Sequence, residues 1–322
     1  MTASAEFDSY SRNGEDVVLG RTFAGVEHGR YIDVGAYHPR VGSVSAAFYD
    51  RGWTGITVEP EPKSAALQRE QRPRDIQVEA AATVTDTGPV TLHVVDGTNL
   101  STLNHSYAQI RAASGLGTHD IQVRARSMNG VLDESKWAGH DIHFMSVSTE
   151  GSEVDVLSGL DLQVWRPWVL AIDVITPEGA SRRGEVEEIV GPAGYGACLF
   201  DGLSCFYAAA EHVEQLGPRL SIPAGVLDNF TTPALRRYRT EAEAVPALMA
   251  EISRWRSQAL TWWAEAMSHA DDEDWHQRFD DLAETLEITS AELEGVYQSR
   301  SWRLTGPLRT VLGARSRTRN AS

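Results

Sequence analysis

Two short apolar runs constrain this chain more than any other feature. Arg30-Tyr31-Ile32-Asp33-Val34-Gly35 ends in a glycine two residues past an acid, and Gly55-Ile56-Thr57-Val58-Glu59-Pro60 ends in an acid and a proline. Each has the length and near-continuous hydrophobicity of a strand buried on both faces, and Ser43 to Arg51 between them suits a helix. Further strand candidates are Ile76 to Ala81, Val90 to Val95, Ile121 to Ala125, Ile142 to Val147, Trp168 to Val174 and Gly196 to Phe200. Ser64 to Arg69 is a further short helix. Strands alternating with helices specify an α/β fold with a mainly parallel sheet. Right-handed crossovers then gather the loops after the strands on one edge, where such folds bind ligands.

The turns after the first two strands carry the chemistry. A glycine directly after a buried strand lets a ligand approach the backbone, because no Cβ stands in the way; packing alone also explains an Asp-x-Gly strand end. Glu59 ends the next strand 24 residues after Gly35, near the ~20-residue offset at which nucleotide-binding α/β folds place an acid for ribose hydroxyls. A carboxylate accepts from two vicinal hydroxyls at once. Asp33-Val34-Gly35-Ala36 lacks the three glycines that a pyrophosphate requires, so a nucleoside without phosphates, such as S-adenosylmethionine, fits better than NAD. A formal net charge of −16 repels phosphate backbones and disfavours nucleic acid as a partner. Cys198 and Cys205 are too few for a disulfide scaffold and match no common metal-ligand spacing. The first ten residues show no basic region followed by an apolar run, and no stretch approaches the ~20 apolar residues of a membrane span. The expectation is a cytoplasmic protein.

Three segments together resemble the FkbM-type S-adenosylmethionine-dependent methyltransferases: Tyr10-Ser11-Arg12-Asn13-Gly14-Glu15-Asp16, Tyr31 to Pro39, and Phe48-Tyr49-Asp50-Arg51-Gly52-Trp53 running on through Glu59-Pro60. Leu100-Ser101-Thr102-Leu103, Glu150-Gly151-Ser152-Glu153, Arg166-Pro167-Trp168 and Phe200-Asp201-Gly202-Leu203 extend the likeness over roughly residues 8 to 230. The resemblance implies a Rossmann-like methyltransferase sheet flanked by helices. It implies that Asp33, Gly35 and Ala36 line the methionine end of the cofactor, that Glu59 holds the ribose, and that Ala80 and Ala81 lie beside the adenine. Glu15 and Asp16 would close over the cofactor or form a surface turn. His38 would position an acceptor or serve as a hydrogen-bonded structural residue beside Pro39.

The chain departs from the family pattern on the acceptor side. Val147-Ser148-Thr149-Glu150-Gly151 stands where the family usually reads Ile-Asp-Val-Glu-Gly, Asp173 stands where a glutamate is expected, and Ser204-Cys205 replaces Asn-Arg. Methyl transfer needs in-line alignment and a deprotonated acceptor, and an alkyl hydroxyl near neutral pH needs a base or a metal. A serine is neither a carboxylate base nor a hard metal ligand. Asp173 is the first candidate base, because it interrupts an apolar run at a strand end where partial desolvation raises a carboxyl; a hydrogen-bonded turn aspartate is the alternative. Glu150 is a second candidate, although its place before a helix also explains an acid there. His143 reads as a core residue, and His212 as outside the centre. No metal-ligand set is recognised, and metal dependence is left open.

The composition changes after about Thr232. Thr240 to Glu294 holds 14 acidic residues, 3 arginines, no glycine and one proline, which favours helix. Leu248, Ile252, Trp255, Ala259 and Trp262 recur at spacings of three and four. After Glu294 come six arginines and no acidic side chain, and Leu293 to Arg309 resembles a terminal segment of bacterial surface-polysaccharide enzymes. The reading is a methyltransferase domain over residues 1–233 and an acidic α-helical extension with a basic amphipathic tail over 234–322. The tail would rest on the inner face of a membrane or on a protein partner, or stand as a solvated helix; a homo-oligomer is a separate expectation. The acceptor implied is a sugar hydroxyl of a surface polysaccharide, glycolipid or glycosylated metabolite. The alternative is a catalytically degenerate subunit of a glycan-assembly complex.

Overall fold

The computed structural model describes residues 6–268 and 273–298. They fall into two compact units that part between Thr231 and Thr232. The first unit begins with β1 (Phe7–Asp8), α1 (Glu15–Thr22), β2 (Arg30–Val34), α2 (Ala46–Asp50), β3 (Thr54–Val58), α3 (Pro62–Gln71) and β4 (Ile76–Val78). It continues through β5 (Ala81–Thr83), β6 (Val90–Val95), α4 (His105–Ala113), β7 (Thr118–Val123), β8 (Ala125–Ser127) and α5 (Met128–Glu134). Then follow β9 (Phe144–Val147), α6 (Glu153–Ser158), β10 (Val169–Asp173), α7 (Arg183–Val190), β11 (Tyr195–Phe200), β12 (Ser204–Ala209), α8 (Val213–Leu220) and β13 (Phe230–Thr231).

Seven strands form the main sheet in the order β4-β3-β2-β9-β10-β12-β11. The neighbours from β4 to β10 are parallel, and β12 runs antiparallel to both β10 and β11. The first three strands step outward from β2, and the chain then returns to lay β9 on the other side of β2. The loops after β2 and β9 therefore diverge, which makes a crevice at the C-terminal ends of these strands. Strand residues alternate between two cores. Ile32, Val34, Ile56, Val58, Met145 and Val147 face one layer with Leu132 and Val186. Tyr31, Phe144, Val169, Ala171 and Phe206 face the other with Leu19, Phe48 and Leu220. Burial on both faces is why these strands read as apolar runs.

Several sequence boundaries shift. The run Ile76 to Ala81 divides into β4 and β5, and β5 leaves the main sheet to pair with β8. Strand β12 has no counterpart in the sequence reading. It is fully buried and follows an Asp201-Gly202 turn with Gly202 at φ 102°, a hairpin signal that the family motif there obscures. The candidate strands Val90 to Val95 and Ile121 to Ala125 pair with one another as an antiparallel ribbon, β6 with β7, outside the main sheet.

The second unit is a pair of helices, α9 (Pro233–Ser268) and α10 (Glu273–Gln298). Thr232 Oγ1 accepts from Leu235 N at 3.1 Å and Pro233 opens α9, the usual chemistry of a helix start. Leu248, Ile252, Trp255, Ala259 and Trp262 lie on its less exposed face. Among the described residues no helix is long and apolar enough to cross a membrane. The basic tail from Arg300 onward, with Pro307, lies outside the described residues.

Candidate functional site

Three adjoining cavities lie along the C-terminal edge of the sheet. The first has a volume of about 560 Å³, its open mouth included, and its walls bring together Val34, Gly35, Val58, Glu59, Ala80 and Ala81. Leu92 and Leu103 from the β6–β7 ribbon and the loop after β6 add apolar wall. Glu59 is 5% exposed. Its Oε2 accepts from Tyr37 N at 2.7 Å and its Oε1 from Glu61 N at 2.8 Å. Each carboxylate oxygen therefore keeps acceptor capacity for one further donor. Burial pushes this carboxyl up to about 7, against the two amide hydrogen bonds that lower it. Apolar walls with one buried acid that keeps free acceptor sites are chemically compatible with a nucleoside.

The second region of the crevice touches Gly35, Ala36, Asp33, Glu15 and Arg12. Gly35 has φ 80°, and a Cβ there would meet the Ser148 carbonyl oxygen at 1.9 Å. The glycine is thus demanded by the β9 loop pressing on it, besides giving a ligand room. Asp33 is 4% exposed and hydrogen-bonded by the Ser45 hydroxyl, which buried Arg72 also contacts at 2.7 Å. Burial raises its carboxyl, with Ser45 and Arg72 acting against that. The Ala36–Tyr37 turn is held from below by Gln68, whose Nε2 donates to both carbonyls. Tyr37 has φ 43°, a left-handed conformation uncommon outside glycine and common at ligand sites.

Glu15 and Asp16 form no surface turn, and Glu15 lines the second cavity. They are 4% and 0% exposed. Asp16 accepts from Ser9 Oγ and Ser11 Oγ at 2.7 Å, from Tyr10 N at 2.6 Å and from Ser11 N at 3.2 Å. Glu15 accepts from Asn13 N at 2.9 Å. The two acids fasten the strap Ser9–Gly14 across the strand ends, and burial raises both carboxyls. The strap delivers Arg12, a residue to which sequence reasoning assigns no role.

The third cavity, of about 600 Å³, is lined by Arg12, Arg111, Arg182, Tyr107, Glu150 and Asp173 among others. Asp173 Oδ2 accepts from Ser148 Oγ at 2.7 Å and Arg12 Nη2 at 3.0 Å, while Oδ1 accepts from Ser204 Oγ at 2.6 Å. Two of the three family departures, Ser148 and Ser204, thus form one cluster with the third. Glu150 has φ 51°, and its contacts to Arg12 and Arg111 are loose, 3.5 and 3.3 Å. Burial raises its carboxyl, opposed first by Arg12. Thr102 Oγ1 donates to the Glu150 carbonyl at 2.6 Å and Glu153 Oε1 accepts from Thr149 N at 2.9 Å, so the turn is clamped from both sides.

The structure brings Asp33, Gly35, Ala36, Glu59, Ala80, Ala81, Glu150 and Asp173 to one crevice. It does not bring His38 there. His38 Nδ1 accepts from Arg40 N and Val41 N, both at 3.0 Å, so the ring staples its own loop, and burial lowers its basicity. His143 accepts from Arg30 N and is 7% exposed. His212 stacks on Trp168, 4.2 Å between ring centres, beside the N-terminal end of β10. Among the described residues no group of three or more His, Cys, Asp or Glu could hold a metal ion.

A doubly wound sheet with a buried acid at a strand end, lining a cavity on the sheet's C-terminal edge, defines a class, the Rossmann-like α/β enzymes. Residues 33–195 match the methyltransferase FkbM domain family. The chain belongs to this family and is an S-adenosylmethionine-dependent methyltransferase. No curated protein matches it. Its solved structural neighbours are distant. A TehB-like S-adenosylmethionine-dependent methyltransferase from Corynebacterium glutamicum is 9% identical over 61% of this chain and 87% of that one, with a TM-score of 0.33. The precorrin-6y C5,15-methyltransferase of Geobacter metallireducens is 11% identical over 60% and 86%, TM-score 0.31. An O-methyltransferase from Bacillus cereus in complex with S-adenosylhomocysteine is 16% identical over 60% and 78%, TM-score 0.31.

Proposed function

We propose that the chain transfers a methyl group to a hydroxyl of a sugar, carried on a surface polysaccharide, a glycolipid or a glycosylated metabolite. The observation that carries this reading is the polar cavity beside the cofactor crevice, which shares Arg12 and Asp173 with it. Three guanidinium groups, three carboxylates (Glu150, Glu153 and Asp173) and the Tyr107 ring are a donor and acceptor set suited to a polyol. Glu59 would hold the ribose diol, Ala80 and Ala81 would flank the adenine, and Gly35, Ala36 and Asp33 would border the methionine end. The cofactor supplies an electrophilic methyl group. Asp173, at the junction of donor and acceptor cavities, would take the hydroxyl proton, and Glu150 would orient the sugar.

The test is methyl transfer from labelled cofactor to a glycan extract. Turnover that Asp173→Asn abolishes while S-adenosylhomocysteine still binds supports the reading, and wild-type protein that binds the cofactor but labels no glycan overturns it. A second reading, a cofactor-binding subunit of a glycan-assembly complex without turnover, is favoured by Ser148 in place of a carboxylate and by its hydrogen bond to Asp173. In either reading the protein would work in the cytoplasm, its basic tail resting on the inner face of a membrane or on a protein partner.

A further inference from the structure

The methionine portion of the cofactor ends in an α-carboxylate. The part of the crevice that would receive it has a single cation among its lining residues, Arg12. That guanidinium is engaged on the opposite wall, with Nη2 donating to Ser148 Oγ and Asp173 Oδ2, both at 3.0 Å. Nη1 reaches Glu150 at 3.5 Å, beyond the ~2.7–2.9 Å of a tight charge-assisted bond. Arg12 and Asp173 line both the cofactor crevice and the acceptor cavity, so the side chain lies across the junction between them. An acceptor hydroxyl has to pass that junction to meet a methyl group. The strap backbone is fixed by Asp16, whereas the Arg12 side chain is 33% exposed on a flexible stem.

We propose that Arg12 is a two-position latch. In one position it rests on Asp173 and Ser148, and in the other it turns to the cofactor's α-carboxylate, which clears the junction for the acceptor. The inference rests on the cofactor assignment above. A guanidinium exchanging one anion for another keeps its charge paired throughout. The same movement removes one of the two donors on Asp173 Oδ2, leaving Ser148 there and opening that oxygen to the acceptor hydroxyl. The resting contacts act as a competing state and lower the apparent affinity by the fraction of molecules they hold. Only a ligand with the amino-acid tail can drive the exchange.

Calorimetry with two ligands tests this: S-adenosylhomocysteine, and 5′-methylthioadenosine, which keeps adenine, ribose and sulfur but lacks the tail. Arg12→Ala is expected to weaken S-adenosylhomocysteine about ten- to hundredfold and to leave 5′-methylthioadenosine within about twofold. Arg12→Gln gives the same comparison should the alanine variant melt below wild type. Equal losses for both ligands, or no loss for either, overturn the latch. Ser148→Ala removes a resting contact and is expected to tighten S-adenosylhomocysteine severalfold with 5′-methylthioadenosine unchanged; unchanged or weaker binding overturns the exchange. Wild-type protein that binds neither ligand overturns the cofactor placement itself, and the latch with it.

Discussion

The Ser148 hydroxyl donates to Asp173 Oδ2 across 2.7 Å and ties the C-terminal tips of β9 and β10 together. A second carboxylate at this position would face Asp173 at hydrogen-bond distance, and like charges so close cannot both ionise freely. Ser148→Asp therefore raises one folded-state carboxyl. Its contribution is intact at low pH and is lost as pH rises through the raised value. The expected result is a loss of about 1–2 kcal/mol at pH 8 and little loss at pH 5, read by chemical denaturation at both.

Glu59 gives a second pH signature. Its folded value of about 7 exceeds the ordinary 4.5 because of burial. Such a group favours the folded state fully below pH 4.5, and that advantage drains away as pH climbs to 7. Glu59→Gln carries no charge at any pH. Its stability relative to wild type is expected to improve by about 2–3 kcal/mol between pH 5 and pH 8, followed by thermal melts. The same variant is expected to weaken S-adenosylhomocysteine and 5′-methylthioadenosine alike, since both carry the ribose.

Asp16 accepts four hydrogen bonds from three consecutive residues of the strap. Asp16→Ala leaves buried donors without an acceptor, at an expected cost of about 2–4 kcal/mol in urea unfolding. Loss of strap order also predicts faster proteolysis near Arg12.

Gly35→Ala is expected to be the most damaging single methyl in the first unit. It adds a Cβ at 1.9 Å from the Ser148 carbonyl oxygen and forces alanine to φ 80°. A loss of about 3 kcal/mol or more, with no measurable cofactor binding by calorimetry, is the expected outcome.

Particular residues show what the sequence discloses and what it hides. Ile32, Val34, Ile56 and Val58 announce their strands because both faces of the sheet are covered, and Gly35 and Glu59 follow from the same strand ends. The split at Glu79–Ala80 does not show, because the residues stay strand-like while Ala80 N turns back to Val78 O and the chain leaves the sheet. Strand β12 lies hidden in a stretch that reads as a motif. Arg12 escapes for a different reason: its partners Ser148 and Asp173 lie 136 and 161 residues away, and no local spacing encodes such a pairing. Its neighbours offer a hint, since Glu15 and Asp16 are shut off from solvent and hold the strap.

Phe7 and Asp8 pair in parallel with Phe230 and Thr231, and Ser9 N donates to the Thr231 carbonyl at 2.8 Å. The two extremities of the first unit therefore clasp each other immediately beside the segment that carries Arg12. Trimming either extremity, even by a handful of residues remote from the crevice, would unfasten the clasp and let the arginine drift from its station. A shortened version that still folds could thus lose its grip on the methyl donor without any change to the residues that touch it.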